Sequence, residues 1–226
     1  MFRGMVRYGI GTLGLYLPNV AEKISCREPE GRVRWITPEE ANRLINEAKK
    51  IGRSPHLADF ITLALNTGMR KGEMLGMEHK RIDLNNRRLL LDSMHTKTRR
   101  RRAVPLNDAA LAVIHRRLQW RQSKEVISKW LFCHADGSQV VDVKNAFTSA
   151  VRKAGIEDFV VHDLRHTAAS WMVMNGVDIY SVRDVLGHLD ITSTQRYAHL
   201  APENLRAAVE AINSGSGDLG KLVAVG

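Results

Sequence analysis

Apolar residues return at helical spacing along most of this chain and at strand spacing in one short region. After Thr37 they recur at Leu44, Ile45, Ala48 and Ile51, which predicts an amphipathic helix. Its start is marked by Thr-Pro-Glu-Glu: Thr37 can cap, Pro38 suits the first turn, and Glu40 follows the cap by three. His56 to Asn66 predicts a second, more apolar helix closed by Thr67-Gly68, and Lys71 to Met77 a short third one. Two strand-like runs follow, RRLLLDSM and RRAVPL, separated by HTKTRR, and together they predict a hairpin with a polar tip. The tip lacks an Asn-Gly or Asp-Gly pair, so its turn type stays open.

Downstream, Asn107 or Asp108 can cap a helix reaching about Gln122, and Trp130 to Cys133 is a candidate third strand. Val143 to Ala154 predicts a helix ending at Gly155. Asp163 is a candidate N-cap for a helix whose packed face is Ala168, Ala169, Met172 and Val173. Asp178 to Leu186 predicts another, ended by Gly187; Thr192 or Ser193 caps the next, and Pro202 starts one more. The expected fold class is mainly α with a small antiparallel β-sheet. Leu111, Leu118, Phe132, Leu164, Trp171, Leu186 and Leu189 are expected in the core.

The two ends break this pattern. Residues 1–36 are glycine-rich and irregular, ending in CREPEGRVRW, and are expected to be a linker or the remnant of an upstream domain. The folded domain is expected over 37–213, and SGSGDLGKLVAVG, 214–226, as a flexible tail. Arg3 and Arg7 before an apolar run imitate a signal peptide, but no small-x-small cleavage site follows. No run of about twenty apolar residues predicts a membrane span. Two isolated cysteines, Cys26 and Cys133, suit a reducing compartment, and a cytoplasmic location is expected.

Composition changes the picture at one point. Of 226 residues, 34 are Lys or Arg against 24 Asp or Glu, a net charge of +10. That excess favours a polyanionic partner, nucleic acid or an anionic membrane face. Attention then falls on VVHDLRHTAASWM, where His162, Arg165 and His166 crowd a helix start. A metal would ask for a carboxylate between the histidines, and Leu164 and Arg165 stand there instead. A phosphate suits the Arg165 fork and the donors of a helix N-terminus. Taken alone, the stretch reads more simply as a solvated turn, His162 capping and Arg165 paired with Asp163 or Asp178.

Further motifs weigh against that plain reading: Arg70 and Glu73 in TGMRKGE, Lys97 in HTKT, HDLR, His188 in LGH, and Tyr197 in QRYAHL. In this order the set resembles the tyrosine recombinase, or phage integrase, family over about Arg34 to Leu205. The resemblance implies the α+β fold of that family's catalytic domain and a site-specific recombinase acting on double-stranded DNA. It implies a tetramer on DNA, a monomer when free, no membrane, no metal and no cofactor. Arg70 and Arg165 would clamp the scissile phosphate, and His162 and His188 would complete its hydrogen-bond shell. Lys97 would be the general acid, Tyr197 the nucleophile and Glu73 the supporting acid, with Asp163 and His166 structural. Lys71 and Arg99, Arg100, Arg101 and Arg102 would lie near the DNA backbone.

The chemistry of the residues agrees. Phosphodiester transfer needs donors that spread charge over non-bridging oxygens, which two guanidiniums and two imidazoles supply. Only about one free tyrosine in a thousand is ionised at pH 7, so cationic neighbours should favour the phenolate, with His162 the first candidate proton acceptor. Two departures from the family stand out. The upstream helical domain that closes a clamp around DNA has no room in 1–35, and His79 stands where a large aromatic is usual. A nicking–closing topoisomerase-like enzyme and a non-catalytic DNA-binding regulator are the alternatives.

Overall fold

The computed structural model describes residues 33–91 and 101–202, together with Thr12. The chain divides into two compact units, and all that follows concerns the one beginning at Val33. Helix α1, Pro38–Lys49, starts as its sequence predicts: the Thr37 hydroxyl accepts from the Glu40 amide, and the Glu40 carboxylate accepts from the Thr37 amide. Helix α2, Leu57–Thr67, is buried almost all round because α1 and two later helices, α4 (Asp108–Ser123) and α6 (Asp163–Met174), pack against it. It ends at Gly68, whose φ of 62° is the left-handed turn glycine tolerates, and where a Cβ would meet Leu186 Cδ2 at 2.6 Å.

Helix α3, Lys71–Leu75, and a 3-10 turn, His79–Arg81, lead into the sheet. Strands β1 (Ile82–Asp83), β2 (Arg88–Leu91) and β3 (Arg102–Pro105) are antiparallel in the order β1-β2-β3. Leu89 opposes Val104 on the buried face, so the register is set by which side chains the core accepts. The predicted hairpin is therefore β2–β3, and its tip lies outside the described residues. The third strand is β1 and not Trp130 to Cys133. That run makes only single bridges, Glu78 to Trp130 and Cys133 to Gln139.

Asn107 caps α4, its side chain accepting from the Ala110 amide at 2.9 Å. Helix α5, Lys144–Lys153, packs on α1 and ends before Gly155. In α6 the expected N-cap is displaced by one: His162 holds the cap position, and Asp163, already helical, reaches back to accept from the Val160 amide at 2.9 Å. Asp178 caps α7, Ile179–Leu186, which Gly187 ends with φ 67°. Helix α8 is a single turn, Thr192–Gln195, begun from Ile191 and not from Thr192 or Ser193, and a 3-10 turn, Ala198–Leu200, follows it. The helix expected from Pro202 lies outside the described residues, as does the tail.

Phe132, Leu164 and Leu186 are buried as expected, and Leu111, Leu118 and Trp171 pack against the core from its edge. Leu189 is the exception at 59% exposed: it follows the left-handed Gly187 turn, and the chain there has already left the core. Ile36 is fully buried, and its carbonyl accepts from the Trp171 indole at 3.0 Å. The packed structure thus reaches slightly upstream of Thr37. A second, smaller apolar cluster joins Ala169 and Val173 of α6 to Val182 and Leu186 of α7 and to the ring of Tyr197.

Candidate active site

Five side chains far apart in sequence, Arg70, His162, Arg165, His188 and Tyr197, line one cavity of about 230 Å³, joined by His166, Ser193 and Arg196. None of these lining residues is a carboxylate. Helix periodicity accounts for part of the gathering. His162 and Arg165 are three apart and His162 and His166 four apart at the start of α6, so all three share a face. The two histidine rings meet edge to face with centroids 5.0 Å apart.

Arg165 is 3% exposed and makes no pair with Asp163 or Asp178. Its Nη1 donates to the Gly68 carbonyl at 2.7 Å and its Nη2 to the Leu186 carbonyl at 2.8 Å. Two helix C-terminal ends therefore aim the fork, and among the described residues no carboxylate pairs with it. Burial, then the nearby Arg70, pulls this guanidinium down to about 9, with Glu73 opposing. A buried cation facing a carboxylate-free cavity is stabilised by an anion entering from solvent.

Arg70 sits in extended backbone just before α3, and its Nη1 donates to Glu73 Oε1 at 3.0 Å. Glu73 also accepts the Arg70 amide at 3.0 Å and both Nη atoms of Arg102, at 3.0 and 2.9 Å. Burial alone would raise the Glu73 carboxyl, but Arg102, the Arg70 amide and the Arg70 charge outweigh it and hold the group below its ordinary value. Arg102, expected among the DNA-backbone contacts, is a nearly buried strut between β3 and α3 in the free protein. Its neighbour Arg101 is exposed, while Lys71 pairs with Asp142 at 2.8 Å on the surface. Lys97, Arg99 and Arg100 lie outside the described residues.

His188 follows the Gly187 turn, and its Nδ1 lies 2.8 Å from Thr194 Oγ1. Burial, then Arg165 and Arg70, pulls His188 down to about 3, and the same two leading causes, burial and Arg165, lower His162. Both rings are neutral at pH 7 without a bound anion, and each then has one N–H to donate. Tyr197 is 1% exposed, its ring packed in the small cluster and its Oη 2.5 Å from His166 Nδ1. Burial pushes this phenol up to about 12, although Arg165 and Arg196 act the other way. The expected cationic activation is outweighed in the free protein.

Sequence reasoning missed three contributors: Arg196 and Ser193 at the cavity, and Thr194 behind His188. Their signal was adjacency to Tyr197 in TSTQRY. Among the described residues no group of three or more His, Cys, Asp or Glu could hold a metal ion, and no helix is long and apolar enough to cross a membrane.

Comparison with known proteins fits this arrangement. The sequence profile of the phage integrase family matches residues 34–204. The integrase of Salmonella phage P22 is 34% identical over 196 residues, covering 81% of this chain and 48% of its own length. Tyrosine recombinase XerD of Rhizobium meliloti (strain 1021) is 31% identical over 191 residues, covering 78% of this chain and 60% of its own. The solved catalytic domain of bacteriophage HP1 integrase superposes with a TM-score of 0.61 at 27% identity, covering 79% of this chain and 95% of that one. XerH site-specific recombinase bound to its difH substrate gives 0.62 at 25% identity, covering 77% and 53%. The chain spans about half the length of the curated phage integrases it matches.

Proposed function

This chain belongs to the phage integrase family, and from that premise we propose that it is a site-specific DNA recombinase working through a 3′-phosphotyrosyl intermediate. The observation carrying the reading is that Tyr197 lines the same carboxylate-free cavity as Arg70 and Arg165. A scissile phosphate entering there meets two guanidiniums, whose planar forks match its non-bridging oxygens. His162 and His188 add hydrogen bonds, and the phosphate's charge offsets the repulsion from Arg165 that, after burial, holds both rings low in the free protein.

The Tyr197 oxygen attacks phosphorus, the bond to the 5′ oxygen breaks, and Lys97 gives that oxygen its proton. The new phosphotyrosyl bond is a diester like the one lost. A 5′ hydroxyl from a second strand can therefore attack it, regenerating Tyr197 and joining the strands without an energy source. The partner is double-stranded DNA, held in a tetramer during exchange; the free chain is a monomer in the cytoplasm, and the gene is of prophage or mobile-element origin. The +10 charge supports the DNA partner.

A nicked suicide duplex carrying sequence from the gene's flanks tests this reading. Wild type traps a covalent complex on it, and Tyr197→Phe traps none while still binding. Binding without trapping in wild type would replace the enzyme by a non-catalytic regulator. Relaxation of supercoils without joining of two duplexes would make it a nicking–closing enzyme.

A further inference from the structure

The reaction above leaves the phenol's own proton without a destination, and the geometry points to His166 as its acceptor. This inference rests on Tyr197 being the nucleophile. His166 Nδ1 is 2.5 Å from Tyr197 Oη, and the two ring centroids are 5.9 Å apart at 47°. His162, the first candidate from sequence, meets the His166 ring edge to face, and it is His166 whose nitrogen touches the phenol.

The elements around His166 hold it there. It lies on the first turns of α6, whose Ala169 and Val173 pack with the Tyr197 ring, so acceptor and nucleophile are fixed by one apolar cluster. Cationic side chains line the same cavity: Arg165 on α6, Arg70 before α3 and Arg196 beside Tyr197. His162 and His188 face it as well, and Asp163 is the nearby acid felt by the phenol. The transfer uses the tautomer of His166 with its proton on Nε2, in which Nδ1 accepts the hydrogen bond from the Tyr197 hydroxyl. When the phenol oxygen attacks phosphorus, its O–H bond breaks and the proton passes to Nδ1. The 5′ oxygen departs with a different proton, from the general acid. In the return step His166 gives its proton back to the phenol oxygen as that oxygen leaves phosphorus.

A phenol pushed up to about 12 needs such an acceptor at pH 7, because free phenolate is then scarce. Without His166, solvent hydroxide must take the proton. Single-turnover covalent trapping by wild type, His166→Ala and His166→Gln, followed from about pH 7 to about pH 9.5, tests this. At neutral pH both variants are slower by about 10²- to 10⁴-fold, and the deficit shrinks about tenfold per pH unit as hydroxide takes over. Gln can hydrogen-bond the phenol but cannot take its proton, so it separates proton transfer from packing. DNA binding and melting temperature are read on each variant. A pH-independent deficit in His166→Gln with a wild-type melting temperature would overturn the assignment, as would a closing deficit in His162→Ala and none at His166. Failure of wild type itself to trap DNA would instead overturn the recombinase reading, so the two failures are distinct.

Discussion

At the scale of single residues, the site is a set of charges held by neutral partners. Arg165 is gripped by two backbone carbonyls and not by an acid, so its charge stays available to a ligand. Arg165→Ala should slow covalent complex formation by about 10²- to 10³-fold, the cost of one preorganised donor, while DNA binding changes far less. Single-turnover rates and a binding isotherm on the same duplex check it. Tyr197 makes a spectroscopic prediction. The difference in phenolate absorbance between wild type and Tyr197→Phe should titrate at about 12, well above a solvated tyrosine. The sign for stability follows, since the folded value lies above the unfolded one. The buried neutral phenol stabilises the fold fully below pH 10 and loses that contribution as pH rises towards 12. Titration of the difference signal near 10 would mean that the ring is exposed in solution. The motifs in HDLRH, LGH and QRYAHL were legible because each residue type is rare for its place. The contact of His166 with the phenol was not, since nothing in a helix-start pattern says which face meets a side chain thirty-one positions away.

At the scale of elements, two helix ends and one hairpin base build the pocket. Gly68 ends α2 and Gly187 ends α7, and the carbonyls that hold Arg165 belong to Gly68 and to Leu186, beside the second turn. A Cβ at Gly187 would meet the Arg102 guanidinium at 2.5 Å, on a residue with φ 67°. Gly187→Ala should therefore lower the melting temperature and also slow trapping, because it presses on both Arg102 and the turn that carries His188. A variant that melts normally and cleaves normally would show that this turn is loose. The helices were readable in the sequence to within a few residues, because apolar spacing and caps at Thr37, Asn107 and Asp178 are local signals. The third strand and Arg102 were not. Strand β1 is two residues long, below what alternation can reveal. Arg102 ends the run Arg99 to Arg102, where composition suggests four solvated charges. Only the pairing of β3 with β2, and Glu73 waiting beneath, turns the last one inward.

At the scale of the whole molecule, the +10 chain sets three of its arginines, Arg70, Arg165 and Arg196, around one cavity. Several surface cations are already paired, Lys71 with Asp142 and Arg88 with Asp83 among them. The logarithm of DNA affinity should fall linearly with the logarithm of salt, with a slope of about 0.9 per phosphate neutralised, and Lys71→Ala should leave that slope nearly unchanged. A salt titration of Kd for both proteins reads this directly. The central claim is that residues from the segment before α3, from the start of α6, the Gly187 turn and the segment after α8 converge on one phosphorus atom. The measurement that bears on it most directly is a structure of the protein with a nicked duplex. The account predicts one phosphate in the cavity, Arg70 and Arg165 within about 3 Å of its non-bridging oxygens, and Tyr197 Oη in line with the 5′ oxygen. DNA bound on another face, with this cavity empty, would contradict it.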